Sequence, residues 1–575
     1  MKTESYCKSN LLFDSFSKLK MLALLQKRYI FILFTSGLIT LVFVVVPLNP
    51  VDAVCSANPG VSSLITRATA TNLYILWEEE TGYYDNPATG NHTLFFKTLG
   101  DGGKTLGRTE NLYRSNSVCS SGSQLTVGQD GKGKENVYAL WFASNKLLFS
   151  ASKDNGMSFA GPIEVGTPNS SVYELVADEN NGVYIVFSGV EPNSGKSQVI
   201  LRKSNNGGTS FSDNLTLSTG SEANVIYSHI GLAVSGQNVY VAWTETTTDN
   251  SCGSPLKPNC PSMIKFVKSS DGGNTFSNPE LVDNLKSNVS NNTSSNATEQ
   301  SIGTGSSIST TCSSPQFENI AAVGQNVYLT WRNANCSLNF VHSEDNANTF
   351  TKPMNLLDDV KLTPDSFLYS SPYMLAFDND SVYIAFIMGN STGYDIVLLK
   401  SSDRGNHFLP IPSAIPNGFG NMAYPIPEHL AISKNGQLHF VWSPNADSRT
   451  ILFDSVHANQ TAASVKPTAI ISSVNTPFFQ YYPQLAATDN GYIYVLWFNS
   501  THADSVSGSS PKENIEIKVS TDNGKTFGDA TKVQEILAVP EFDGFSSFAF
   551  MIGTAASVTG TAFMLRRFRL RKESG

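Results

Sequence analysis

The string "SSDGGNTF", Ser269–Phe276, decides the fold because the chain writes it again and again. "SKDNGMSF" stands at Ser152–Phe159, "SNNGGTSF" at Ser204–Phe211 and "SEDNANTF" at Ser343–Phe350. "SSDRGNHF" follows at Ser401–Phe408 and "STDNGKTF" at Ser520–Phe527, with a reduced copy, "LGDGGKTL", at Leu99–Leu106. The local physics needs no ligand. Asp271 can accept hydrogen bonds from backbone N–H groups just ahead of it, as in an Asx turn. Gly273 takes a positive φ without steric cost, and Thr275 and Phe276 return the chain to a strand. So many copies cannot each be an active site. Asp101, Asp154, Asn206, Asp271, Asp345, Asp403 and Asp522 are therefore assigned to structural hairpins.

A second motif keeps step with the first. "NLYILW" ends at Trp77, "NVYALW" at Trp141, "NVYVAW" at Trp243 and "NVYLTW" at Trp331; "LHFVW" ends at Trp442 and "IYVLW" at Trp497. "VYIVF" and "VYIAF" put Phe187 and Phe386 at the same place. These are β-branched and aromatic strands, and all 6 tryptophans of the chain occupy this one position. Tyr328, Tyr383, His439 and Tyr494 recur at a spacing of about 55 residues, which with four strand signals per unit is a propeller period. The sequence predicts an all-β propeller of four-stranded blades. Eight blades are favoured, or seven if one unit is not a full blade.

The S-x-D-x-G-x-[TS]-F string resembles the Asp box, or bacterial neuraminidase repeat, of sialidase-like propellers, over roughly residues 60 to 535. The resemblance implies the fold. It does not imply an activity, because such boxes also occur in binding propellers.

The ends carry a different message. Lys27–Arg28 precede an uncharged apolar run, Tyr29–Val46, and "VDA" follows at Val51–Ala53. Residues 1–53 read as a secretory signal or signal anchor, with Met1 or Met21 as the start. Residues 54–537 form the propeller. Residues 538–575 carry "VPEF" (Val539–Phe542), an uncharged stretch from Gly544 to Leu565 and the basic run "RRFRLRK". As a helix the uncharged stretch would rise about 33 Å, enough to span a bilayer, with the basic run on the cytoplasmic side. This tail resembles an archaeal PEF-type sorting signal. The expectation is a membrane-anchored cell-surface protein with an extracellular propeller flanked by hydrophobic helices.

Six of the seven cysteines lie beyond the apolar run, and Cys252–Cys260 and Cys312–Cys336 are the candidate disulfides. N-x-S/T sequons at Asn91, Asn214, Asn292, Asn296, Asn390 and Asn499 mark surface loops if the host glycosylates. Charged residues make up only 15% and the net charge is −9, which argues against nucleic acid as a partner. No zinc-type histidine pairing, nucleophile elbow or phosphate loop is legible, so no metal or cofactor is predicted.

Blade parity places the site. In an up-and-down blade the one–two and three–four loops share a face, and the two–three and four–one loops share the other. The Asp strings are three–four loops. The long, variable connections fall on the opposite face and carry Glu78, Glu79, Tyr83, Tyr84, Glu245, Arg332 and Arg449, whose planar and charged groups suit sugar or protein contacts. The "EEE" run from Glu78 also fits a solvated loop edge. A sialidase needs three arginines on the substrate carboxylate, a tyrosine nucleophile activated by a glutamate, and an acid/base aspartate. Arg67 sits late in its strand without the family's R-I-P motif, Arg202 lies far out and Arg404 is in a box. The reading is thus a propeller that binds an extracellular glycan or envelope protein without assembled catalytic residues. The alternatives are an exo-α-sialidase-type glycoside hydrolase and a structural envelope protein.

Overall fold

A computed structural model describes residues 32–35, 38–41, 60–81, 91–115, 120–191, 193–219, 225–247, 262–282, 316–333 and 337–358, and, from 360 to 536, the strands of the last three blades with adjoining turns. Between Gly60 and Ile536 eight antiparallel sheets follow one another, each built from one continuous stretch of chain. Blade 1 runs from Gly60 to Ser115, blade 2 from Ser120 to Gly166, blade 3 from Pro168 to Thr219 and blade 4 from Val225 to Leu281. Blades 5 to 8 run from Gln316 to Asn355, Phe367 to Ile411, Leu430 to Ser473 and Phe478 to Ile536. The strands of a blade pair in chain order. Strands one touch their neighbours from blade 1 through blade 6 and from blade 7 to blade 8, and that of blade 8 touches that of blade 1, so they form the inner ring of an eight-bladed propeller.

Strand two reads as an unbroken hydrophobic run because both of its faces are buried. In blade 4, Val239, Val241 and Trp243 pack against blade 3, together with Val186, Val199 and Leu201. Tyr240 and Ala242 turn the other way, against Phe317, Leu329 and Trp331 of blade 5. Trp77, Trp141, Trp243, Trp331 and Trp497 are all among the largest fully buried side chains, with Phe187 and Phe386 buried at the same position.

The Asp strings lock each blade to the one before it. Phe159 of the blade 2 box meets Phe96 of blade 1 edge-on at 4.6 Å. Phe211 meets Phe149, Phe408 meets Phe340 and Phe527 meets Phe453 in the same way, at 4.9, 4.9 and 4.8 Å. The glycine at the fifth box position is required by this docking: a Cβ on Gly524 (φ +82°) would stand 2.6 Å from the Phe453 ring. Blade 5 has Ala347 there instead, and its aromatic pair, Phe266–Phe350, is more open at 5.7 Å. Lysines complete the seams. Lys203 Nζ donates to Gly272 O (2.9 Å) and Asn274 Oδ1 (2.5 Å) in the next box, and Lys268 Nζ to Ala347 O (2.8 Å) and Asn348 Oδ1 (2.6 Å).

Within a box the hub is the serine. Ser269 Oγ donates to Asp271 Oδ1 (2.7 Å) and accepts the N–H groups of Gly273 (2.9 Å) and Asp271 (3.3 Å). Asp271 then accepts Thr275 N–H at Oδ1 (3.0 Å) and Thr275 O–H at Oδ2 (2.6 Å). The aspartate thus spans four residues, farther than the short Asx turn expected. The Thr526 hydroxyl and N–H and the Ser520 hydroxyl hold the Asp522 carboxyl down at about 2. A depressed folded value stabilises the fold above the ordinary carboxylate range, and that contribution is lost as pH falls through about 2. The blade 1 copy has Leu99 in place of the serine; it forms a short 3-10 turn at Asp101–Gly103, with Asp101 at φ +52°.

Among the described residues no strand is exchanged to close the ring. Blade 1 and blade 8 meet through a shared core of Leu64, Ile75 and Trp77 with Leu496, Phe498 and Ile515. Buried Lys97 crosses the seam and donates to Val533 O at 2.8 Å.

One expectation is corrected. The apolar run near the N-terminus was expected to be a helix, yet Ile32–Thr35 pairs antiparallel with Leu38–Leu41. Isoleucine, threonine and phenylalanine favour strands. Among the described residues no helix is long and apolar enough to cross a membrane. The C-terminal apolar stretch and all of the cysteines lie outside the described residues.

Candidate functional site at the inner mouth

Strand one is interrupted at the same level in blade after blade. The register slips between Val61 and Ser63, Ser121 and Gln124, Ser228 and Gly231, Phe317 and Asn319, and Tyr481 and Gln484. In blade 3 the slip falls between Pro168 and Tyr173. In blade 6 strand one is split into Phe367–Leu368 and Tyr373–Ala376. Each slip faces the tryptophan level of strand two, in the half of the strand away from the boxes. A bulge adds a residue and re-aims its side chain. Repeated on the innermost strand, it sets a ring of irregular backbone around the axial mouth on the face opposite the boxes.

Neighbouring bulges are tied to each other. Ser63 Oγ lies 3.4 Å from Ser123 Oγ. Tyr173 O–H donates to Gly122 O at 2.7 Å, and Gln124 Oε1 accepts the Leu175 N–H at 2.7 Å. Thr244 Oγ1 accepts the Phe317 N–H at 2.8 Å. His229 Nε2 lies 2.6 Å from Gln316 Nε2.

The expected site residues divide. Strand two continues past the tryptophan to Thr81 in blade 1 and Thr247 in blade 4, so Glu78 and Glu245 are buried instead of standing on loops. Glu78 lies 3.6 Å from the buried His92 ring, and Glu245 is paired with Lys265 at 2.8 Å. Glu79 Oε1 accepts the Trp77 indole N–H at 2.8 Å. Arg332 closes on the bulge of its own blade: its Nε and Nη2 lie 2.9 and 2.7 Å from Glu318 Oε1, whose side chain is fully buried. Tyr83, Tyr84 and Arg449 lie outside the described residues. Sequence reasoning missed Ser123, His229, Gln316 and Glu318. The only trace of them is that strand one breaks its apolar–polar alternation midway.

Tyrosines near carboxylates occur here in two blades. Burial pushes the Tyr173 hydroxyl well above its ordinary value, and the Glu78 charge pushes it further. Burial raises Tyr227 to about 12, with a hydrogen bond shared with Ser218 opposing and the Glu245 charge adding to it. Both shifts run against phenolate formation. Among the other described arginines, Arg114 is exposed on the outermost strand of blade 1 and Arg108 pairs with Glu110. Arg67 caps Thr66 O, Arg202 holds Ser212 O and Val165 O, and Arg404 bridges Glu344 and Asp380 beside a box.

No protein-family model matches the chain, and no curated relative matches it. Solved structures do, at low similarity. An ulvan lyase, a polysaccharide lyase, is 11% identical with a TM-score of 0.38 over 62% of this chain and 81% of that one. A leech intramolecular trans-sialidase is 11% identical with a TM-score of 0.32, over 77% and 89%. A Trypanosoma rangeli sialidase is 11% identical with a TM-score of 0.33, over 60% and 55%. At these scores the likeness says nothing of activity, and the propeller assignment stands on the chain's own sheets.

Proposed function

We propose that this protein is an extracellular, surface-anchored propeller that binds a glycan at the mouth opposite the Asp boxes and does not cleave it. The observation that carries the reading is the closed Arg332–Glu318 pair. The one described arginine placed at the mouth is already neutralised by a buried carboxylate, so it offers no free cation to a sialic acid. Exo-α-sialidase chemistry is the second reading, favoured by the carboxylates near Tyr173 and Tyr227. Both hydroxyls are shifted away from the ionised form such a nucleophile needs, and both side chains are buried.

Glycan-array binding by the full chain, together with no release from a fluorogenic sialoside, is the expected pair of results. Turnover of the sialoside that is lost in a Tyr173→Phe variant would overturn the binding reading in favour of the enzyme. The surface assignment rests on the terminal apolar and basic residues. Protease added to intact cells is expected to remove the propeller, and full protection would refute that topology.

A further inference from the structure

The seam between blades 4 and 5 holds the most unusual backbone at the mouth. In the blade 4 bulge, Ile230 turns inward and is buried, while His229 turns outward and takes φ +50°. A histidine held at positive φ is strained, and such residues cluster at ligand sites. The ring is fixed from both sides, with Nδ1 3.0 Å from Ser228 Oγ and Nε2 2.6 Å from the amide nitrogen of Gln316. The amide nitrogen of Gln316 has only N–H to offer, so it donates to the ring at Nε2. Gln316 opens strand one of blade 5 and is paired in register with Arg332, whose guanidinium holds Glu318. An exposed imidazole, a half-buried amide and an internally compensated ion pair thus stand side by side at the axis.

Resting on the glycan-binding reading above, we infer that this seam is the primary sugar subsite and that it takes a neutral pyranose through two adjacent hydroxyls. A hydroxyl both donates and accepts. The Gln316 amide offers both roles within one planar group, and its carbonyl oxygen has no protein partner among the described residues. The imidazole offers a flat face beside it. A sialic or uronic acid would bring a carboxylate to a place where, among the described residues, the one cation, Arg332, is already charge-paired with Glu318. The subsite therefore selects against charge, which separates it from the arginine-clamped pocket of an anionic-sugar hydrolase.

The test is calorimetric titration of the full chain with methyl α-D-mannopyranoside, methyl β-D-galactopyranoside and methyl β-D-glucopyranoside, against 3′-sialyllactose and galacturonate. At least one neutral glycoside is expected to bind and the two acids are not. His229→Gly, which relieves the positive φ, and Gln316→Ala are each expected to weaken binding at least tenfold while the melting temperature holds or rises. Lys525→Glu, on the box face, is expected to change nothing. Neutral binding kept within twofold in both variants would overturn the subsite and leave the glycan reading standing. Tighter binding of the acids would overturn the charge argument. No binding of any glycan by the parent chain would overturn the glycan reading itself.

Discussion

Trp243→Ala is expected to lower the free energy of unfolding by about 3–5 kcal/mol, the range for truncating a buried large aromatic. Trp243 is fully buried between blades 3 and 4, where Tyr227 meets it edge-on at 6.4 Å. The surrounding strands are tied at both ends by box and bulge contacts, so the hole cannot collapse freely. The loss reaches beyond one blade, because the indole supplies part of the wall between two of them. Urea unfolding of the variant beside the parent measures it. A loss under about 1 kcal/mol would mean that the site relaxes, and the repeated tryptophan layer would then not be the core that holds the blades in register.

Ser269→Ala is expected to cost about 1–3 kcal/mol, the penalty for leaving a buried donor unpaired. The Gly273 N–H is buried, and Ser269 Oγ is its acceptor. Asp271→Ala should cost less, even though the aspartate is the residue that gives the motif its look. Its carboxylate is exposed, and the N–H groups it leaves behind can turn to water. Thermal melts of the two variants rank them directly. An aspartate variant clearly weaker than the serine variant would show that the carboxylate, not the hydroxyl, organises the hairpin.

The propeller was legible because two independent signals run in phase. The tryptophan strand is buried on both faces, so its apolar run survives in every unit, down to His439, which replaces tyrosine and still stacks on Phe453 at 5.9 Å. The box was legible as a turn. Its role between blades was not, because Phe159 and Phe96 lie far apart in the sequence and only the ring brings them together. A weak trace existed in the lysines placed just before Ser204 and Ser269, which become the seam contacts.

The candidate site was harder to read. Parity correctly sends the two–three and four–one connections to the face away from the boxes. Glu78 and Glu245 look like loop residues, but strand two runs on past the tryptophan and buries them. The bulges that turn His229 out to solvent and set Glu318 against Arg332 leave almost no mark, since one inserted residue does not change the composition of a strand. His229 at φ +50° resembles any other strand residue until the register is known.

The central claim is that recognition belongs to the face opposite the boxes. The most direct measurement is binding of the array-selected glycan to two variants of the full chain. In one, the connection 248–261 of blade 4 is replaced by a short glycine-containing turn between Thr247 and Ser262, the ends of paired strands. In the other, Lys104→Glu and Lys525→Glu reverse two exposed charges on the box face. The account predicts that the first change weakens binding and the second leaves it intact. Loss with the second change alone would contradict it and move the site to the box face.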